Sequence, residues 1–90
     1  MDLERIVTIS KTKLTYPTPG NWRYKIEISD DGDSGWKLLA DQMQTSDTNQ
    51  ERTDAVQNAV LRGRFLRVTI LSTPTNQSAA LAELEVTGTL

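Results

Sequence analysis

Asp30, Asp31 and Asp33 form the densest acidic cluster of this sequence, and Gly35 and Asp41 fall at two further positions of a calcium loop counted from Asp30. Such a loop binds its ion through several carboxylate and carbonyl oxygens arranged around a glycine turn. The pattern departs where ligands are required. Gly32 stands at a ligand position, Asp41 replaces the bidentate glutamate, and the flanking residues read as strands. Residues 30–35 therefore predict a plain hairpin turn. Nucleophilic catalysis lacks its parts, because the chain has no histidine and no cysteine, which excludes Ser-His and Cys-His nucleophiles. Glycoside hydrolysis needs two carboxyl groups facing each other across a cleft, and neighbouring aspartates in one turn do not supply that geometry. The sequence reads as non-enzymatic. Asn76-Gln77-Ser78 fits the acceptor pattern for N-glycosylation, which has meaning only in a eukaryotic secretory route.

The elements that must position any site are strands. Arg5-Ile6-Val7-Thr8-Ile9 and Lys13-Leu14-Thr15-Tyr16 are β-rich and separated by polar Ser10-Lys11-Thr12, predicting one long kinked strand or two short ones. Pro17-Thr18-Pro19-Gly20-Asn21 cannot continue a ladder, since both prolines lack an amide donor, and predicts a loop. Tyr24, Ile26 and Ile28 then alternate with Arg23, Lys25 and Glu27, the pattern of a half-buried strand. Trp36 and Leu38-Leu39 follow the aspartate-rich turn. Residues 41–54 are polar and predict a solvent-exposed excursion, after which residues 54–61 could make two helical turns ended by Gly63. Residues 64–71 read as a central strand, apolar on both faces. Residues 74–78 read as a second loop, and Ala82, Leu84 and Val86 alternate against Glu83, Glu85 and Thr87 in a last strand. Trp36 and Phe65 are expected in the core, and Arg67 is expected to pack its stem while its head pairs at the surface. Strands outweigh helices, so the expected class is all-β with antiparallel pairing, in one domain over residues 1–90.

Composition narrows the partners. Ninety residues suffice for one small core, and 37% hydrophobic with 24% charged residues, strongly patterned, is a folding composition. The net charge of −2 has no basic block, so no nucleic acid partner is expected. No apolar run is long enough to cross a bilayer, so no membrane insertion is expected, and the first residues lack a signal-peptide pattern. The absence of cysteine is compatible with a reducing or an oxidising compartment.

Three segments carry a family resemblance: Tyr24-Lys25-Ile26-Glu27-Ile28-Ser29-Asp30-Asp31-Gly32 with Trp36 after it, Arg64-Phe65-Leu66-Arg67-Val68-Thr69-Ile70, and Ala82-Glu83-Leu84-Glu85-Val86-Thr87-Gly88. In order and spacing they resemble the F5/8 type C, or discoidin-like, domain, which includes family 32 carbohydrate-binding modules. The resemblance implies an antiparallel β-sandwich, a jelly-roll of the galactose-binding-domain-like kind, here shortened at the N-terminus. Family domains are longer, and their early strands and calcium-holding loop would precede Asp2-Leu3-Glu4, itself similar to the family's Asp-Leu-Gly. A shortened sandwich leaves edge strands open, which predicts a homo-oligomer as one outcome.

The resemblance further implies a non-catalytic module that binds a glycan through loops at one end, within a larger carbohydrate-active protein such as a glycoside hydrolase, secreted or at the cell surface. The alternative is a structural or protein-interaction sandwich without a sugar site. A pyranose presents an apolar C–H face to an aromatic ring, and its hydroxyls need directed partners. The loop ending at Trp22 resembles one of the family's binding loops, making Tyr16, Asn21 and Trp22 candidates. Each has a structural reading too: Tyr16 as packing, Asn21 as a turn residue, Trp22 as a rim residue over the sandwich edge. The loop before the last strand adds Asn76 and Ser78, although no ring stands where many sugar-binding relatives carry one. Glu83 and the carbonyl of Ala82 match positions that in the family help hold a structural calcium; alone, Glu83 reads as a solvated strand carboxylate.

Overall fold

A computed structural model describes residues 1–56 and 61–89. Every regular element among them is a strand: β1 (Asp2–Thr15), β2 (Arg23–Ser29), β3 (Lys37–Gln42), β4 (Glu51–Ala55), β5 (Leu61–Ser72) and β6 (Glu83–Thr89). All pair antiparallel in one six-stranded sheet of order β3-β2-β5-β1-β4, with β6 also on β1. Residues 11–15 of β1 pair with β4 and with β6 at once, so these two lie on opposite edges of β1.

β1 is the single long, kinked strand that its sequence allows. Its first part pairs with β5, from Asp2 opposite Phe65 to Ile9 opposite Leu61, and its second part with β4 and β6. The register shifts between Asp2 and Val7, where Glu4 has φ 69°, and again between Ile9 and Lys11. Such irregularities bend a strand and increase its twist, and here they carry β1 out of the plane of β2 and β5. The sheet therefore curls on itself. Leu14 of β1, Tyr24 and Ile26 of β2, Ala40 of β3 and Leu66 of β5 form one buried cluster with Tyr16 and Trp22. Val68, Ile70, Leu81, Leu84 and Val86 pack against its flank.

β2 buries Tyr24, Ile26 and Ile28, as its alternation predicts, and β5 lies between β2 and β1. The expected helix over residues 54–61 is not formed where it can be seen: Asp54 and Ala55 belong to β4 and Leu61 begins β5, while residues 57–60 lie outside the described residues. Gly63 is required for a different reason from a helix stop. A Cβ there would sit 2.5 Å from Ile28 Cγ1, so only glycine lets β5 pass beneath that side chain. Trp36 and Phe65 are half-buried outside the core cluster, each under an arginine: Arg67 lies 4.1 Å from the Trp36 ring centre and Arg64 5.1 Å from that of Phe65. The Arg67 head pairs with Glu27 at 3.0 Å.

The turn over residues 30–35 uses its acid internally. Asp31 Oδ1 accepts hydrogen bonds from the backbone N–H groups of Asp33 and Ser34, both at 2.9 Å, and from Ser29 Oγ. These donors hold the Asp31 carboxyl down at about 2. Antiparallel connections place residues 16–22, 43–50 and 73–82 together at the opposite end of the sheet.

Candidate binding site at the loop end

Tyr16 and Trp22 close the core beneath that end. Both are 0% exposed, and their rings stack with centres 4.5 Å apart and planes 6° from parallel. Trp22 Nε1 donates to Thr18 O at 2.9 Å, which ties the loop down over the ring. The exposed role considered for Trp22 is thus not what the structure shows: each ring spends a face on the other, and neither offers one to a sugar. The loop is short and folds back, and Trp22, in register with the inward set of Tyr24, Ile26 and Ile28, points inward at the entrance to β2. Burial pushes the Tyr16 phenol up to about 12.

The residue that joins two of the three loops is one that hydropathy reading passes over. Arg52, on β4, is 4% exposed. Its guanidinium donates to Asn49 O at 2.6 Å, Asp47 O at 2.7 Å, Gly20 O at 2.8 Å and Trp22 O at 3.2 Å. The Asp47 carboxylate lies 3.8 Å away. A buried charge is tolerable only when such partners replace its water, and here they come from two loops at once. Backbone bonds complete the seam: Tyr16 N–H donates to Gln50 O and Gly20 N–H to Thr48 O, both at 3.0 Å. Gln50 Nε2 donates to Tyr16 O at 2.9 Å. The third loop joins through Pro74, whose ring occupies the space a Cβ on Gly20 would need, and through Ala82 N–H donating to Thr15 O.

Beside Arg52 on the same inward face, Asp54 is 8% exposed. It accepts from Tyr24 Oη at 2.6 Å and Gln42 Nε2 at 2.8 Å. Burial first, then the Asp54 hydrogen bond and charge, push the Tyr24 phenol far above its ordinary range. The polar stretch expected to be a solvent excursion is therefore only partly one. Its ends are β3 and β4, and β4 turns Arg52 and Asp54 inward while Glu51 and Thr53 face out. Glu51, Arg52, Thr53 and Asp54 are all polar, so the sequence offers no apolar alternation to mark the buried set.

Of the other candidates, Asn21 is half-buried and clamped. Its Nδ2 donates to Thr45 O at 3.1 Å and its Oδ1 accepts from Arg23 Nε at 3.0 Å. Asn76 and Ser78 are exposed on the third loop, where Asn76 takes the left-handed conformation (φ 65°) of a turn closed by Gln77 N–H donating to Pro74 O. The structure thus brings all five candidates to one end, the two rings as foundation and the three polar residues above. Glu83 is exposed at the start of β6, directly after Ala82, and among the described residues no three acidic side chains gather around one point. A shallow groove of 330 Å³ runs along Asp41, Gln42, Met43, Gln44 and Thr45, next to Asn21.

The chain has the galactose-binding-like β-sandwich fold, an all-antiparallel, curled sheet whose connecting loops meet at one end. CpGH89CBM32-6 of Clostridium perfringens, by its name a family 32 carbohydrate-binding module, has this fold: the two superpose with a TM-score of 0.81 at 22% identity, over 97% of the present chain. The present chain covers 64% of that one. No protein-family model and no curated protein matches the sequence. Among the described residues no helix is long and apolar enough to cross a membrane.

Proposed function

We propose that the chain is a non-catalytic carbohydrate-binding module, or the larger part of one, that belongs to an exported carbohydrate-active protein. The observation that carries this reading is the match in fold, over nearly the whole chain, to CpGH89CBM32-6. The loop end supports it. A buried arginine locks two of the loops together and the third packs onto them through Pro74, which suits recognition of hydroxyl groups because the donors and acceptors are ordered before a ligand arrives. With Tyr16 and Trp22 enclosed, contact falls to polar side chains such as Asn21, Asn76 and Ser78. Such a module acts by raising the local concentration of a catalytic neighbour at its glycan.

Screening the 90-residue chain on a glycan array, followed by titration of the best ligand, tests the proposal. Saturable binding that is lost when the loop end is altered supports it. A blank array for a folded chain would instead support a structural or protein-interaction sandwich.

A further inference from the structure

Building on the carbohydrate reading, we propose that the groove along Asp41, Gln42, Met43, Gln44 and Thr45 is a subsite for an uncharged pyranose, with Asp41 as acceptor for its hydroxyls and Met43 as its apolar platform. The groove's 330 Å³ stands at the lower end of the roughly 300–1,000 Å³ of small-ligand sites, room for one or two sugar rings. Three of its five residues are held by hydrogen bonds. Asp41 Oδ1 accepts the Met43 N–H at 3.1 Å, which orients the carboxylate and leaves Oδ2 to a ligand. Gln42 is held by Nε2 donating to buried Asp54, and Thr45 by its carbonyl accepting from Asn21 and its hydroxyl accepting from Asp47 N–H.

The apolar contact that a pyranose needs cannot come from the buried rings. Tyr16, Trp22 and Tyr24 are enclosed, whereas Met43 is 36% exposed and its flexible thioether can lie along a C–H face. Charge sets the class of sugar. The groove's lining holds one carboxylate, two carboxamides and one hydroxyl, with no cation. Among the described residues no ion pair takes Asp41; Lys25, opposite it across β2 and β3, has its ammonium 3.7 Å from Glu27. An uncharged sugar can present vicinal hydroxyls to the free carboxylate oxygen, while a uronic or sialic acid would meet repulsion.

The test is a titration of the isotope-labelled 90-residue chain, followed amide by amide by NMR, with methyl glycosides of neutral hexoses and N-acetylhexosamines and, separately, glucuronate. The expected result is saturable shifts centred on residues 41–45 with a neutral glycoside and none with glucuronate. Asp41→Asn weakens binding by about tenfold, the difference between a charged and a neutral acceptor. Met43→Ala gives a comparable loss, and both surface variants keep the dispersed spectrum of the folded chain. Saturable shifts centred on residues 76–78, or a preference for glucuronate, overturn the groove assignment and leave the carbohydrate reading standing. No saturable shift with any of these sugars overturns the assignment as well, and a blank glycan array in addition removes the carbohydrate reading itself.

Discussion

Replacing Arg52 by methionine keeps the length and apolar stem of the side chain and removes the guanidinium donors that bridge the loops over residues 17–22 and 43–50. Four carbonyls lose a partner. That of Trp22 lies in the interior, where an unpaired acceptor costs about 1–3 kcal/mol. Those of Gly20, Asp47 and Asn49 are only partly buried, so water can replace the guanidinium and each loses about 0.5–1.5 kcal/mol. Relief from desolvating the charge offsets part of this, leaving a destabilisation of about 3–5 kcal/mol. A domain of this size has about 5–13 kcal/mol in all, so Arg52→Met loses a large fraction of its stability and about 15 °C or more in Tm. Urea unfolding followed by tryptophan fluorescence gives the value, because Trp22 sits in the affected region. A loss below about 1 kcal/mol at unchanged m-value would refute the role given to Arg52.

The buried phenols make the fold sensitive to alkali. The folded state holds the protons of Tyr16 and Tyr24, the latter more strongly, while the unfolded chain releases them near the ordinary phenol value of about 10. Their contribution is complete below pH 10 and is lost as pH rises toward 12, by about 1.4 kcal/mol per pH unit for each ring. Since the sequence has only these two tyrosines, phenolate absorbance should appear together with loss of the fold; an ordinary titration near pH 10 in folded protein would contradict their burial. Tyr24→Phe removes the 2.6 Å bond to Asp54 and should cost about 1–3 kcal/mol in chemical denaturation, a neutral result counting against the buried pair. Gly63→Ala places a methyl against Ile28 and should cost about 1–3 kcal/mol in urea unfolding, an unchanged midpoint contradicting the close approach of the two strands.

The strands were legible where one face is apolar. β2 shows its inward set by alternation alone, and β5 shows by its doubly apolar composition that it lies between other strands. β4 was hidden because its inward residues are Arg52 and Asp54, whose burial depends on carbonyls and a phenol from distant loops. Sequence reading has no access to such partners. The same holds for Trp22. Its type suits a sugar platform, but the stacking of Tyr16 on it, six residues earlier across a folded loop, decides its burial. Trp36 and Phe65 lie outside the core expected for them because each ring is covered by an arginine of β5 instead, Trp36 by Arg67 and Phe65 by its chain neighbour Arg64. The loop end was legible as a location and not as a mechanism: Asn21, Asn76 and Ser78 lie there, while the groove beside Met43 depends on how β3 ends at the sheet edge.

The most direct measurement is a glycan-array screen of the folded 90-residue chain, with affinity for the leading ligand then measured by calorimetry. Saturable binding of a neutral glycan, weakened by Asp41→Asn and unaffected by a substitution in the turn at Asp33, is the predicted result. A folded chain that binds no glycan, at any concentration reached, would contradict the assignment of this sandwich to carbohydrate recognition.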